Sequence, residues 1–292
     1  MPKGETIQND RYEAGAKLSN EQLIHAYRTM YTARKTDDKI LLLLKQGKVF
    51  FHIGGSGHEA AQVGTALALK PGYDWAYPYY RDLPFSLGFG YTIEEVFLEA
   101  LHRAAGPSSG GFAMPFHWGH KKYRLVSQSS PTGTQYLEAV GTALGAVKEG
   151  KDEVVYVSSG EGTTSEGEFH EAVNWAAREK LPVIFLIQDN GYAISVTKYE
   201  QTAGKSVYQI TSGYAGLNRY EIDGCDFLAS YATALEAVAK ARKREGPSLI
   251  VAHTVRLLPH SSSDDQRKYR PAEDLARDRA RDPVPRLEQH LL

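Results

Sequence analysis

The sequence predicts an α/β fold in which a parallel sheet carries helices on both of its faces. Three short segments, 154–157, 183–187 and 248–255, are rich in apolar residues without alternation. Such strands are typical of parallel sheets, because both faces of the sheet are covered. The segments 165–180 and 228–244, which lie between them, have helical patterns. Strands that alternate with helices in this way indicate the α/β class.

The N-terminal part of the chain is predicted to be a polar arm followed by a long helix. Residues 1–19 are polar and are interpreted as a flexible arm, whereas residues 20–292 are interpreted as a single domain. Ser19 and Gln22 have the spacing of a capping box, in which each side chain accepts a hydrogen bond from the other residue's backbone N–H. The helical pattern that starts there extends towards Gln46.

The elements between this helix and the first apolar segment are indicated by periodicity and by breaker residues. In chain order they are a helix at 58–69, an aromatic strand-like segment at 74–80, a helix at 92–102, a glycine and serine loop at 106–111, and a small-residue helix at 133–148. Ser165 and Glu168 predict a second capping box, at the start of the helix 165–180. From about Ser261 the chain is predicted to be a polar tail.

Composition argues against several classes of partner. The chain of 292 residues has 34 basic and 35 acidic side chains, so its net charge of -1 gives no reason to expect nucleic acid or an anionic membrane as partner. No apolar run approaches the roughly 20 residues that a membrane-spanning helix needs. Cys225 is the only cysteine, which excludes an internal disulfide and favours a reducing compartment. The expected location is the cytoplasm.

Two polar turns follow two consecutive apolar strands. Glu161 lies in the turn SGEGT at 159–163, and Asn190 lies in the turn QDNGYAIS at 188–195. In open parallel sheets, ligands bind outside the carboxyl ends of the strands. If the two strands are neighbours, a right-handed strand–helix–strand connection brings Glu161 and Asn190 to one crevice.

The oxygen atoms at this crevice suit a diphosphate-bound Mg²⁺ ion. Glu161 offers a carboxylate, Asn190 an amide oxygen and the turn near Tyr192 a carbonyl, and Mg²⁺ prefers oxygen ligands. Gly160 and Gly162 allow the backbone to approach phosphates closely, and the N-terminus of the following helix favours anions. Taken alone, GEG is usually a simple turn and Asn-Gly a tight turn. The prediction depends on their occurrence at successive strand ends.

Several longer motifs occur in the order found in one enzyme family. They are YYRD at 79–82, MPFH at 114–117, SSP at 129–131, GEGTTSEGEFHEAVNWAAREKLPVIFLIQDNGYAIS at 160–195 and RLLPHSSSDDQRKYR at 256–270. The GEG followed by Asn190 looks like the thiamine diphosphate motif. Over most of residues 20–292 the chain resembles the alpha subunits of branched-chain 2-oxo acid dehydrogenases. This resemblance implies a thiamine-diphosphate-binding fold, and specifically its diphosphate-binding half.

The resemblance implies roles for individual residues. The expected Mg²⁺ ligands are Glu161, Asn190 and the carbonyl of Tyr192. The residues expected to contact thiamine diphosphate are Tyr80, Arg81, Ser130, Thr132, Gly160, Glu161, Gly162, Thr163, Asn190 and His260. His260 is also expected to be catalytic, since a neutral imidazole can donate or accept protons. The alternatives are a surface ion pair between Arg81 and Asp82, and an ordinary loop histidine at 260. The roles of His58 and His117 are left open.

Three features depart from the family pattern. Gln188 stands where some relatives carry a phosphate-binding arginine, so diphosphate binding is expected to depend more on Arg81 and His260. Pro259 precedes His260 where relatives often have a second histidine. The sequence ends at Leu292, where relatives continue through further helices, so we expect a C-terminally truncated or shortened subunit, or the first part of a fused chain.

The implied activity is oxidative decarboxylation of a branched-chain 2-oxo acid, with acyl transfer to a lipoyl group on an acyltransferase partner. The resemblance also implies an α₂β₂ enzyme in which the beta subunit supplies the glutamate that activates the cofactor, so this chain alone is expected to be inactive. The alternatives are the alpha subunit of a pyruvate or acetoin dehydrogenase and a non-catalytic paralogue retained for assembly. A generic nucleotide-binding protein is disfavoured, because no G-x-G-x-x-G or P-loop motif is suitably placed.

Overall fold

A parallel sheet forms the centre of residues 18–292, which are the residues that the computed structural model describes. The strands, in chain order, are β1 (Trp75–Tyr77), β2 (Val155–Gly160), β3 (Val183–Asp189), β4 (Tyr192–Ala193), β5 (Val196–Thr197), β6 (Asn218–Ile222) and β7 (Ser248–His253). Within these residues the sheet has the order β1-β2-β3-β7-β6, with every neighbouring pair parallel, and β4 pairs with β5 as a separate antiparallel hairpin. The predicted parallel sheet is therefore confirmed, and its central strands β2, β3 and β7 are the three apolar segments.

Helices cover both faces of the sheet. They are, in chain order, α1 (Asn20–Lys45), α2 (Glu59–Ala68), α3 (Leu83–Gly88), α4 (Ile93–Ala100), α5 (Thr134–Lys148), α6 (Gly167–Arg178), α7 (Lys198–Gln201), α8 (Val207–Ile210), α9 (Phe227–Arg242), α10 (Ala272–Ala280) and α11 (Pro283–Leu291). Tyr156 and Ile184 pack with α1 to α4 and α9, whereas Val157 and Phe185 pack with α5, α6 and α8. Because successive strand residues point to opposite faces, the continuously apolar strands supply both cores. None of these described helices is both long and apolar enough to cross a membrane.

The capping box predicted at the start of α1 is confirmed. The Ser19 N–H donates to Gln22 Oε1 at 2.8 Å, and the Gln22 N–H donates to Ser19 Oγ at 3.2 Å. These bonds satisfy two of the backbone N–H groups that a helix N-terminus leaves without partners. Most of the predicted flexible arm, residues 1–17, lies outside the described residues.

The capping box predicted at Ser165 and Glu168 is wrong. Glu161–Ser165 form a 3₁₀ helix that precedes α6, and Glu166 occupies the N-cap without a side-chain hydrogen bond. The Ser165 hydroxyl instead accepts a hydrogen bond from Gln201 Nε2 at 3.0 Å. A tertiary contact with α7 thus replaces the local cap, and the helix N-terminus expected beside the phosphates lies further along the chain.

The polar tail predicted from Ser261 onward is wrong, because this segment contains α10 and α11. Val284 and Leu287 of α11 are buried against α1 and α2, in a cluster that includes Met30 and Val63. Most other side chains of the segment are polar or charged, so two apolar residues spaced three apart give only a weak helical pattern. The segment is helical because α1 and α2 offer it an apolar surface.

Six further elements occur where the sequence pattern predicts none, namely α3, β4, β5, α7, α8 and β6. β6 reads NRYEI and is an edge strand in which only Ile222 is buried, so it lacks the pattern of an interior strand. α3 has six residues and follows Asp82, with Pro84 in its first turn. β1 ends at Tyr77, whereas the strand-like segment is predicted to reach Tyr80. Short edge elements are poorly marked by periodicity because few of their residues enter the core.

A buried ion-pair network joins α1, α2 and α11 and leads to a stability prediction. Arg34 donates to Glu59 Oε1 at 2.7 Å and, through both terminal nitrogens, to the Asp282 carboxylate at 2.8 and 3.0 Å. Glu59 is completely buried. Arg34→Leu leaves this carboxylate without its cation, so we expect the free energy of unfolding to fall by about 3 to 5 kcal/mol in chemical denaturation.

The matched control for this prediction is Arg28→Leu on the exposed face of the same helix. A surface substitution of this kind should change stability by less than about 0.5 kcal/mol. Equal losses in the two variants would contradict a specific role for the buried network.

Candidate active site

The carboxyl ends of β2 and β3 lie side by side, as the sequence argument requires. Gly160 is paired with Gln188 in the parallel register, so the residues that follow each strand are adjacent. The Asn190 backbone N–H donates to Glu161 Oε2 at 3.2 Å, although the two residues are 29 positions apart in sequence. The sheet therefore brings the two candidate metal ligands into direct contact.

A cavity of about 390 Å³ opens at this edge of the sheet. It is lined by all of the residues that the sequence predicts for the site, namely Tyr80, Arg81, Ser130, Thr132, Gly160, Glu161, Gly162, Thr163, Asn190, Tyr192 and His260. The cavity also has walls that the sequence argument missed, formed mainly by apolar residues: Phe51, Ile53, Tyr79, Met114, Pro115, Ala193 and Ile194. Phe51 and Ile53 lie outside the family motifs, whereas the other five lie within the motifs at 79–82, 114–117 and 160–195 but were assigned no role there.

Glu161 is a buried carboxylate with one oxygen atom unused. It is 1% exposed, and among the described residues its Oε1 has no hydrogen-bond partner. Burial, together with the charge of Asp189, raises the pKa of Glu161 to about 7. Burial also opposes ionisation of Asp189, but hydrogen bonding to His253 and the charge of Lys198 lower its pKa below the ordinary value. A buried oxygen without a partner is costly, so Glu161 is well suited to receive a cation.

The oxygens near Glu161 fit an ion that completes its coordination from a ligand. Asn190 Oδ1 accepts a hydrogen bond from the Tyr192 N–H at 3.2 Å, which holds the turn that follows β3. No group of three or more His, Cys, Asp or Glu side chains in residues 18–292 could hold a metal ion. One carboxylate, one amide oxygen and one backbone carbonyl are a sparse set for Ca²⁺ or Zn²⁺. They suit Mg²⁺, which keeps water and phosphate oxygens as ligands.

Two buried arginines beside the cavity have no carboxylate partner among the described ion pairs. Arg81 is 2% exposed and donates to the Gly54 carbonyl at 2.7 Å and to the His260 carbonyl at 3.3 Å. Arg256 is 1% exposed and donates to the Ile194 carbonyl and to the Tyr269 hydroxyl. Carbonyl oxygens do not neutralise a cation, so the charge of Arg81 favours an anion in the cavity, whereas the charge of Arg256 is partly balanced by Asp264, which accepts a hydrogen bond from the same Tyr269 hydroxyl.

The alternative reading of Arg81 as one member of a surface ion pair is wrong. Both Arg81 and Asp82 are buried, and they face different partners. The Asp82 carboxylate accepts hydrogen bonds from Tyr156, Ser158 and Gln188. Burial raises the pKa of Asp82 to about 7, although these three hydrogen bonds oppose the change. Arg81 is thus left free of a neighbouring carboxylate.

His260 lies beside both arginines and is held by its own loop. Its backbone N–H donates to Asp264 Oδ2 at 2.8 Å, and its ring meets the Tyr80 ring edge-on with centroids 6.1 Å apart. Burial, with the charges of Arg81 and Arg256, lowers the pKa of His260 to about 4. The imidazole is therefore neutral near pH 7 and can accept a proton.

The two histidines that the sequence left open have different positions. His117 lines the cavity; its Nδ1 lies 2.5 Å from the Met114 carbonyl and its Nε2 lies 2.8 Å from Ser130 Oγ. His58 is completely buried behind the cavity and contacts Gln188. Burial and the charge of Arg81 lower the pKa of His58 to about 3, so this ring is also neutral.

The two glycines of the GEG motif have distinct functions in the structure. A Cβ atom on Gly162 would lie only 2.7 Å from Ala193 Cβ, so the absent side chain allows the β4–β5 hairpin to approach. A Cβ atom on Gly160 would meet no protein atom closer than the Gln188 carbonyl, at 3.9 Å. The space beside Gly160 therefore belongs to the cavity, and a ligand can approach the backbone there.

Comparisons with known proteins agree with this arrangement. The sequence profile of the dehydrogenase E1 component family matches residues 27–292. The chain is 43% identical to the 2-oxoisovalerate dehydrogenase subunit alpha of Bacillus subtilis, over 91% of this chain and 81% of the relative. It is 37% identical to the 3-methyl-2-oxobutanoate dehydrogenase subunit alpha of Mycobacterium tuberculosis, over 99% of this chain and 75% of the relative. It is 34% identical to the pyruvate dehydrogenase E1 component subunit alpha of Staphylococcus epidermidis, over 94% of this chain and 71% of the relative.

The family profile covers the strands, the turns that follow them and every residue predicted for the site. Two relatives above 35% identity are named for branched 2-oxo acids, and a third, at lower identity, is named for pyruvate. This chain belongs to the dehydrogenase E1 component family.

Proposed function

We propose that this chain is the alpha subunit of a dehydrogenase that oxidatively decarboxylates branched-chain 2-oxo acids, with thiamine diphosphate and Mg²⁺ as cofactors. The observation that carries the proposal is the charge pattern of one cavity. A buried carboxylate with an unused oxygen, Glu161, lines the cavity together with Arg81, a buried cation without a carboxylate partner among the described ion pairs. A diphosphate bound to a divalent cation complements both halves of this pattern.

Different residues of the cavity would bind the metal ion and the different parts of the cofactor. Glu161, Asn190 Oδ1 and the Tyr192 carbonyl would hold Mg²⁺, while Arg81 would neutralise the diphosphate. Ser130 and Thr132 would contact the other end of the cofactor, with Tyr80, Gly160, Gly162 and Thr163 completing the wall. When bound, thiamine diphosphate supplies the electron sink for decarboxylation. A bound cofactor would displace water from the apolar wall, which would strengthen the electrostatic contacts made inside the cavity.

The proposed enzyme requires partners. We propose an α₂β₂ assembly in which a beta subunit completes the active site, and a lipoyl-bearing acyltransferase that accepts the acyl group. The relatives whose names include "subunit alpha" support this assembly, since such a name implies at least one other subunit. The proposed location is the cytoplasm, where the buried thiol of Cys225 would stay reduced.

The test of the substrate is decarboxylation by this chain copurified with its beta partner. Thiamine diphosphate, Mg²⁺ and an artificial electron acceptor are supplied, and kcat/KM is compared for 3-methyl-2-oxobutanoate and pyruvate. We expect at least about a 10-fold preference for the branched acid, because a branched side chain buries more apolar surface against Phe51, Ile53 and Met114.

Pyruvate dehydrogenation is the second candidate, supported by the 34% identity to a subunit of that name. A preference for pyruvate would retain the cofactor site and change the proposed substrate. Bound cofactor without turnover of either acid would favour the non-catalytic assembly paralogue.

His260→Ala is expected to reduce kcat by about 100-fold while cofactor affinity changes less than about fivefold, because acid–base assistance contributes about 10²- to 10⁴-fold. His260 faces the cavity as a neutral base, and its replacement leaves Arg81, the residue proposed to neutralise the diphosphate, in place. His102→Ala, away from the cavity lining, is the control. Unchanged decarboxylation by the His260 variant would remove this residue from catalysis.

A further inference from the structure

A network of buried amide and imidazole groups lies behind the turn that follows β3. Gln62, Gln188 and His58 are completely buried, and Asn190 connects them to the cavity. None of the first three lines the cavity, so direct contact with a ligand does not explain why such polar groups are buried there. Each has hydrogen-bond partners whose chemistry determines which way the side chain is turned.

A backbone N–H group determines the orientation of the first amide in the network, that of Gln62. The Phe85 N–H donates to Gln62 Oε1 at 3.2 Å, and a backbone N–H can only donate. The amide oxygen of Gln62 must therefore face Phe85. Its nitrogen faces the opposite way and donates to Gln188 Oε1 at 2.8 Å and to the Arg81 carbonyl at 3.2 Å.

Gln188 transmits this orientation to His58. Gln188 Nε2 donates to Asp82 Oδ1 at 2.7 Å, so its oxygen faces Gln62 and His58. That oxygen lies 2.7 Å from His58 Nδ1 and can only accept, so Nδ1 carries the ring proton. In the neutral imidazole, Nε2 is then left as an acceptor.

The free nitrogen of His58 faces Asn190. His58 Nε2 accepts a hydrogen bond from Asn190 Nδ2 at 3.4 Å. A reversed Asn190 amide would place its oxygen lone pairs against the nitrogen lone pair of the ring. The contact on the opposite side of the Asn190 amide indicates the same orientation, because Oδ1 accepts a hydrogen bond from the Tyr192 backbone N–H at 3.2 Å.

We propose that His58 is a positioning residue, which keeps the amide nitrogen of Asn190 turned inward and thereby presents Oδ1 to the metal ion. Without the acceptor on His58, only the Tyr192 N–H still orients the Asn190 amide, so rotation that turns its NH₂ group, which cannot bind a cation, towards the ion costs less. The inference rests on the proposed function, because it takes Asn190 as a Mg²⁺ ligand.

The first test is the affinity for Mg²⁺, measured by isothermal titration calorimetry. Mg²⁺ is added to the metal-free enzyme, assembled with its beta partner and saturated with thiamine diphosphate. His58→Phe keeps a ring but removes the acceptor, and it should raise the Kd for Mg²⁺ by about 10- to 100-fold, the usual effect of losing an outer partner of a metal ligand. His58→Gln should recover most of the loss, because an amide can donate to Gln188 and accept from Asn190. His170→Phe, on α6, is the matched control and should leave the Kd unchanged.

The second test is a double-mutant cycle with Asn190→Asp. An aspartate has oxygen atoms on both sides and needs no orientation, so His58→Phe should weaken Mg²⁺ binding much less in this background than in the wild type. A purely structural effect of His58→Phe would be equal in both backgrounds. If His58→Phe does not assemble with the beta partner, Gln62→Met takes its place. This variant removes one of the two groups that orient Gln188, the other being Asp82, does not touch Asn190, and should also raise the Kd.

Glu161→Ala in the same titration separates this inference from the proposed function. Normal Mg²⁺ affinity in that variant would overturn the metal site itself. Two outcomes would overturn only the positioning role, provided that Glu161→Ala binds Mg²⁺ weakly. One is normal Mg²⁺ binding by His58→Phe, and the other is an equal effect of His58→Phe on the Kd in the wild type and in Asn190→Asp.

Discussion

Glu161→Gln is expected to weaken the Mg²⁺-dependent binding of thiamine diphosphate by about 100-fold or more, because loss of an outer partner alone already costs about 10- to 100-fold. Glu161 is the only carboxylate that lines the cavity within the described residues, and its Oε1 has no protein partner. Glutamine has nearly the same size and keeps the hydrogen bond from Asn190, so the fold should be retained. Cofactor quenching of protein fluorescence, titrated with and without Mg²⁺ in the assembled enzyme, measures the effect.

The matched control is Glu171→Gln on the exposed face of α6, which should leave cofactor affinity unchanged. Retention of Mg²⁺-dependent binding by Glu161→Gln would contradict the assignment of Glu161 as a metal ligand. Equal loss in both variants would indicate a general effect of charge.

The same variant should change how stability depends on pH. The pKa of Glu161 is raised from 4.5 to about 7 in the folded chain, so its stabilising contribution is complete below pH 4.5 and is lost as the pH rises through 7. The metal-free wild type should therefore lose more thermal stability between pH 5 and pH 8 than Glu161→Gln, which does not ionise. If the Tm values of the two proteins depend on pH in the same way, ionisation of Glu161 does not destabilise the folded state, and the prediction is contradicted.

Arg81→Met is expected to lower cofactor affinity by about 100-fold, the equivalent of about 2.7 kcal/mol, while the stability of the cofactor-free protein falls by less than about 1 kcal/mol or rises. Arg81 is buried without a carboxylate, so its charge is costly until an anion binds. Methionine fills much of the same volume without that charge. Cofactor titration and chemical denaturation measure the two quantities separately.

Arg242→Met is the matched control for Arg81. Arg242 donates to Asp74, a completely buried carboxylate on the far side of the molecule from the cavity lining. Its removal should destabilise the fold by about 3 kcal/mol and leave cofactor affinity intact. Equal destabilisation by the two substitutions would contradict the view that the charge of Arg81 has no partner until an anion binds.

Local sequence patterns predicted the elements that lie deepest in this protein. β2, β3 and β7 are continuously apolar because both faces of the sheet are covered, and the Ser19 and Gln22 pair marks the start of α1 because its hydrogen bonds are local. Glu161 and Asn190 were predictable for a related reason, whereas Tyr80, Arg81, Ser130, Thr132 and His260 were expected only from the family resemblance. Glu161 and Asn190 follow successive parallel strands, and the geometry of such strands brings their carboxyl ends together.

The tertiary structure alone decided the remaining features, because they depend on partners that are distant in sequence. The C-terminal helices form because α1 and α2 offer an apolar surface, and Ser165 leaves its predicted cap for a contact with Gln201. Arg81 and Asp82 are adjacent in sequence but point to different partners. The amide nitrogen of Asn190 finds its acceptor on His58, which lies 132 residues earlier in the chain. The apolar strands and the cap at Ser19 depend on a single segment, whereas the contact of Ser165 and the direction of a buried hydrogen bond depend on the assembled fold.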